Sequence, residues 1–208
     1  MPNERQNPYL APTPSGVMHA FADASPNEKQ QSLQALVSQS HSIPTEEWLD
    51  KYSHEWLDEF NEKGWVQRLS QDLPAPNMPL DKFLPYVVAS LSGTRKAAIG
   101  SNEGFCLARI GYTADEADRL AVAGADFFDF FVRQRERGLA IAEQAVSLFD
   151  DVALLMPTTS FMFLWIDGTG YVLILDGEPL TNNRALVELV WAIKTSGLRF
   201  SKGDDKVN

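Results

Sequence analysis

The stretch KAAIGSNEGFCLARIGYTADE, residues 96–116, decides the fold. Its apolar residues make two short strands, 96–99 and 105–110, around a turn flanked by Gly100 and Gly104. Thr113 with Glu116 three residues on is a capping box, so a helix opens directly after the second strand. The periodicity carries that helix to about Leu148. Downstream, residues 151–156, 160–166 and 170–175 are rich in Val, Leu, Ile and aromatics and read as three strands. Asp167-Gly168 joins the last two as a tight hairpin. A closing helix, 184–195, is capped by Asn182 or Asn183 and stopped by Gly197. Upstream, residues 79–92 form an amphipathic helix on Leu80, Phe83, Leu84, Val87, Val88 and Leu91, with Asn77 as its cap and Gly93 at its end. The order is helix, two strands, long helix, three strands, helix. It predicts an α+β domain: a five-stranded antiparallel sheet with helices packed on its faces. A parallel doubly wound fold would alternate strand and helix throughout.

Residues 1–27 read as a disordered arm, because prolines at 2, 8, 12, 14 and 26 remove backbone donors and the apolar residues lack a period. Residues 28–40 fit a short helix through Leu33, Leu36 and Val37. From Thr45 the pattern strengthens. Trp48, Leu49, Tyr52, Trp56, Leu57 and Phe60 fall on one face of a single acidic helix, which Gly64 ends and which resumes through Trp65, Val66 and Leu69. Prolines 74, 76 and 79 mark a linker. The expected organisation is an arm (1–27), a helical extension with its proline-rich linker (28–78), the α+β domain (79–200) and a frayed tail (201–208).

Composition narrows the function classes. The net charge of −10, from 28 acidic and 18 basic residues, opposes nonspecific binding to nucleic acid or an anionic membrane. The longest apolar run, 161–166, is far short of the roughly 20 residues that span a bilayer. The N-terminus lacks the apolar stretch of a secretory signal, and a lone Cys106 cannot close an intrachain disulfide. These features point to the cytoplasm.

Chemistry is sparse. His19, His41 and His54 all precede the α+β domain, so a serine nucleophile there has no histidine base. One cysteine rules out a thiolate metal site, and no histidine has a second ligand at metal spacing. Asp167-Gly168-Thr169-Gly170 lacks the alternating acids and final glutamate of a calcium loop. Gly93-Thr94-Arg95-Lys96 lacks the glycine loop that cradles phosphate. The reading assigns no catalytic residue, metal or cofactor.

The long helix instead offers a surface. Leu120, Gly124, Phe127 and Phe131 share one stripe, Phe128 and Val132 lie beside it, and Phe130 falls outside it. Aromatics spread this far around a helix need a second cover, and these residues are expected to form a dimer interface. Trp48, Leu49, Tyr52, Trp56, Leu57 and Phe60 are expected either to fold back on the chain or to dock on a partner from their flexible tether.

Residues 79–200 resemble the roadblock/dynein light-chain family, whose members are profilin-like. Leu80 to Gly93 followed by 96–99 resembles that family's opening helix, glycine stop and first strand. Gly104-Phe105-Cys106-Leu107-Ala108 resembles its Gly-x-x-Leu-Ala second strand, and Gly111 with the capped long helix follows in place. The glycine-rich first turn lacks an Asp-Gly pair, and the extension of some 78 residues lies outside the family pattern. The resemblance implies homo- or heterodimers in which long helices pair and sheets join edge to edge. It also implies non-catalytic work as light chains, scaffolds or regulators of small Ras-like GTPases. A profilin-like sensor of a small ligand and a subunit of a motility or secretion machine are the alternatives.

Overall fold

The computed structural model describes residues 8–138, 145–150, 152 and 155–200. In the N-terminal part the elements are β1 (Tyr9–Pro12), α1 (Pro14–Ala20), α2 (Glu28–Ala35), β2 (Ile43–Pro44), α3 (Thr45–Leu49), α4 (His54–Glu62) and β3 (Val66–Leu69). Then come α5 (Leu80–Ala89), β4 (Ala97–Ser101), β5 (Cys106–Ile110), α6 (Ala114–Glu136), β6 (Ala145–Leu148), β7 (Thr159–Ile166), β8 (Thr169–Asp176) and α7 (Arg184–Phe200).

The second group forms the expected profilin-like α+β arrangement, a five-stranded sheet of order β5-β4-β8-β7-β6 with every neighbour antiparallel. Asp167 (φ 50°) and Gly168 (φ 79°) make the two-residue turn between β7 and β8, closed by the pair Ile166 and Thr169. Positive φ at both central positions matches the twist of the flanking strands. β7 is apolar at almost every position because helices cover both faces of the sheet. Phe161 and Phe163 face α6, whereas Met162 and Leu164 join the core shared with α5 and α7.

Several boundaries differ from the sequence reading. The capping box at Thr113 and Glu116 forms, but α6 ends at Glu136, and Gly138 (φ 82°) follows in the left-handed region. The strand expected at 151–156 is replaced by β6, which pairs with β7 from Ala145 opposite Met162 to Leu148 opposite Thr159. A donor contact from Thr158 N to Leu148 O at 2.8 Å ends that ladder. Of the stretch 151–156, the described positions Val152, Leu155 and Met156 lie in no strand. The rest of it, and the tail 201–208, lie outside the described residues. Helix α5 starts without a side-chain cap from Asn77, since Pro79 occupies the cap position. Helix α7 is capped by Asn183, whose Oδ1 accepts from Ala185 N at 3.0 Å, and it continues past Gly197 to Phe200.

The N-terminal part departs further. Residues 8–27, expected as an arm, hold β1 and α1. The prolines sit where a missing N–H costs nothing: Pro12 ends β1, and Pro14 opens α1 behind the cap Thr13. Thr13 Oγ1 accepts from Gly16 N (3.1 Å) and donates to Gly64 O (2.6 Å). Gly16 is required there, because a Cβ would lie 2.0 Å from the Trp65 carbonyl oxygen. Strand β1 pairs with β2 on one side and β3 on the other. The helix read through 45–60 is therefore two, α3 and α4, with Ser53 Oγ capping the second at Trp56 N (3.3 Å). Residues 66–69 are strand rather than resumed helix, because Gly64 (φ 64°) turns the chain back onto β1.

The proline-rich linker is held to the body by Ser42 N donating to Leu73 O and Ala75 N to Ser40 O, each at 2.8 Å. The division expected near residue 78 falls between the two sheets, and one buried cluster spans it. Leu10, Val17, Phe21, Leu33, Trp48 and Phe60 belong to the same cluster as Leu164, Leu186, Val190 and Trp191. Two hydrogen bonds reinforce the seam: Trp191 Nε1 donates to Gln39 O (2.6 Å) and Trp165 N to Phe21 O (2.8 Å).

His19, at the end of α1, stacks on Trp65 with centroids 3.8 Å apart and planes 16° from parallel. Burial, then the nearby Lys63 ammonium, holds its pKa below the ordinary 6.5, against a smaller opposing pull from Glu59. The unfolded chain therefore binds this proton more readily than the folded one. Its contribution is complete above pH 6.5 and lost as pH falls through the folded pKa. Denaturant midpoints are expected to drop as the pH falls below 6.5. His19→Phe, which keeps a ring on Trp65, should flatten that drop; an unchanged slope would remove His19 as its source.

Candidate interaction surface

Helix α6 carries the residues singled out for dimerisation, and the structure divides them. Phe128 and Phe131 are buried against the chain's own sheet, and Leu120 and Phe127 are half-buried against the same cluster. Three of these rings converge on Phe163 in edge-on contacts: Phe128 at 5.0 Å, Phe131 at 5.2 Å and Phe127 at 6.2 Å. Gly124 has a local reason as well. A Cβ there would lie 2.7 Å from Val172 Cγ1, so glycine lets α6 settle on β8. The interface expected at Gly124, Phe128 and Phe131 is thus internal packing, because the stripe that they define faces the sheet.

The outer half of the helix is different. Val122, Phe130 and Val132 are about half exposed (54%, 44% and 45%), Phe130 and Val132 on its opposite flanks, with exposed Asp126 and Asp129 between them. Val132 is the one large residue of the expected set that is exposed, Leu120 and Phe127 being half-buried. Sequence reasoning passed over Val122 and set Phe130 aside, although the isolation of Phe130 from the aromatic stripe was the signal. Other large apolar side chains are exposed on both edges of the sheet: Phe105 just before β5 and Leu107 within it, and Leu148, Phe149, Leu155 and Met156 at and after β6. Among the described residues, both edge strands also leave one side of their backbone unpaired within the sheet.

Charge along α6 follows its dipole, with Asp115 and Glu116 in the first turn and Arg133 and Arg135 in the last. Backbone and hydroxyl hydrogen bonds from Thr113 hold the Glu116 carboxyl below the usual range. At the end of β5, Lys96 Nζ lies 4.4 Å from the Tyr112 ring centroid. Burial, then Asp176 and Glu116, pushes the Tyr112 phenol up to about 12.

The residues considered for partner docking also separate. Trp48, Leu57 and Phe60 lie inside the chain's own core, and Trp48 Nε1 donates to Ser32 O at 3.0 Å. They cannot dock elsewhere without opening that core. Leu49, Tyr52 and Trp56 are half-buried against it. Across the break before Ser53, both tryptophan units pack inward. Cys106 is half-buried, and burial raises its thiol pKa. Among the described residues, no three His, Cys, Asp or Glu side chains converge as metal ligands would, and no helix is long and apolar enough to cross a membrane.

No family model matches the chain, and no curated protein does. Among solved structures, the chain is similar to a Roadblock/LC7 domain from Streptomyces avermitilis. The likeness has 18% identity and a TM-score of 0.39, and it covers 60% of this chain and 98% of that one. A likeness of this degree carries no argument about function, and the strand order above is what defines the fold class.

Proposed function

We propose that the chain is a non-catalytic adaptor or regulator of roadblock type acting in the cytoplasm. It pairs with a second roadblock-type subunit and regulates or scaffolds a small Ras-like GTPase by holding its switch segments. The sequence resemblance over residues 79–200 supports the class of partner. The observation that carries the surface is the uncovered outer half of α6, where Val122, Phe130 and Val132 flank exposed Asp126 and Asp129, on a helix whose inner face is already satisfied. Identical helices crossing on this half would bring Asp126 and Asp129 of each toward those of the other. A paralogous subunit with basic residues at the facing positions therefore fits better than a second copy.

The test is Val122→Asp with Phe130→Asp, read by light scattering at tens of micromolar and by tagged pulldown from the native cell. Because both side chains are exposed, stability should change little, by roughly 0.5 kcal/mol or less per site. Association with a second roadblock-type chain or a small GTPase should weaken about tenfold or more. A strict monomer that captures neither, or a complex indifferent to both aspartates, would remove this reading.

A further inference from the structure

A cleft of about 610 Å³ opens between the N-terminal sheet, the proline-rich segment and the start of α7. That volume lies within the roughly 300–1,000 Å³ typical of sites for drug-sized molecules, and such sites favour seams between packed units. Its floor is apolar and buried, formed by Ala75, Val187 and Trp191. Its polar groups are the carboxamides of Gln67, Asn77 and Asn182, which offer donors and acceptors in equal measure. The two charges on its wall cancel, because Arg184 Nε lies 2.8 Å from Glu188 Oε1 one helical turn on. An ionic ligand would therefore meet a wall with no net charge to attract it, whereas a neutral one forgoes nothing there. A second cleft of about 580 Å³ is lined by Glu46, His54, Asp58 and Arg68 and has the opposite character, rich in charge.

We propose that the cleft between β3, residues 73–78 and α7 binds an uncharged small molecule that carries an apolar ring system and an amide-like polar edge. The ring would lie over Val187 and Trp191, and the carboxamides would read the edge. A ligand seated there touches both sheets' units at once and so tightens the seam that Trp191 and Gln39 already close. This site is separate from the α6 surface and stands or falls independently of the adaptor reading.

The test uses the full chain and two dyes of similar ring size, neutral N-phenyl-1-naphthylamine and anionic 1-anilinonaphthalene-8-sulfonate. The neutral dye is expected to bind saturably at one per chain, and more tightly than the anionic one. Val187→Trp fills the floor and should weaken the neutral dye about tenfold or more. Since Val187 is buried and that variant could misfold, Asn182→Trp at the exposed rim gives a second plug, with the same loss expected at an unchanged melting temperature. Glu188→Gln frees the Arg184 guanidinium and should strengthen the anionic dye several-fold while leaving the neutral dye unchanged. Neutral-dye binding indifferent to Asn182→Trp, or a wild-type preference for the anionic dye, would overturn the assignment.

Discussion

Phe163→Ala is expected to cost about 3–5 kcal/mol of folding stability, the range for a large ring removed from a close-packed core. For a chain of 208 residues, a loss of that size lowers the melting temperature on the order of 10 °C. The reason is position rather than size alone. Phe163 is 1% exposed at the middle of β7, and the rings of Phe127, Phe128 and Phe131 all pack on it. Removing it empties the space under α6, where Gly124 already brings helix and sheet into closest approach, so little collapse can fill the void. Thermal or denaturant unfolding monitored by circular dichroism measures the loss. A drop below about 1 kcal/mol would mean that α6 is held chiefly by something other than this ring cluster.

Trp48→Ala carries the second large effect, also about 3–5 kcal/mol, and it separates two roles for the N-terminal segment. The indole is 1% exposed, lies tilted against Tyr52 at 4.9 Å and meets Phe60 edge-on at 6.2 Å. Its N–H donates to Ser32 O, so truncation also strands a buried carbonyl. Because this cluster is continuous with α7, the loss should appear in unfolding of the whole described body, not in a separate early transition. Trp56→Ala, at a half-buried position, should cost much less, roughly 1 kcal/mol. Equal and small effects at both tryptophans, with melting of residues 79–200 unchanged, would restore them as docking elements.

The amino-acid sequence by itself determined the features that depend on neighbours within a turn or two of the chain. The capping box Thr113/Glu116, the turn Asp167-Gly168 and the alternating or continuous apolar runs of β4, β5, β7 and β8 are set by spacings of two to four residues. From these, four of the five strands of the antiparallel sheet and the helices on its faces followed. The exposed outer half of α6 was partly legible, through Phe130. The direction in which each apolar stripe faces was set by tertiary contacts. Gly124 and the phenylalanine stripe look equally fit for a partner helix until Val172 and Phe163 are seen beneath them. Prolines 12 and 14 read as disorder until β3 and Gly64 supply the strand and carbonyl that hold them. Edge strand β6 is four residues whose ladder exists only because β7 lies alongside. Each of these turns on contacts between residues distant in the chain, and periodicity records that a face is apolar without recording what covers it.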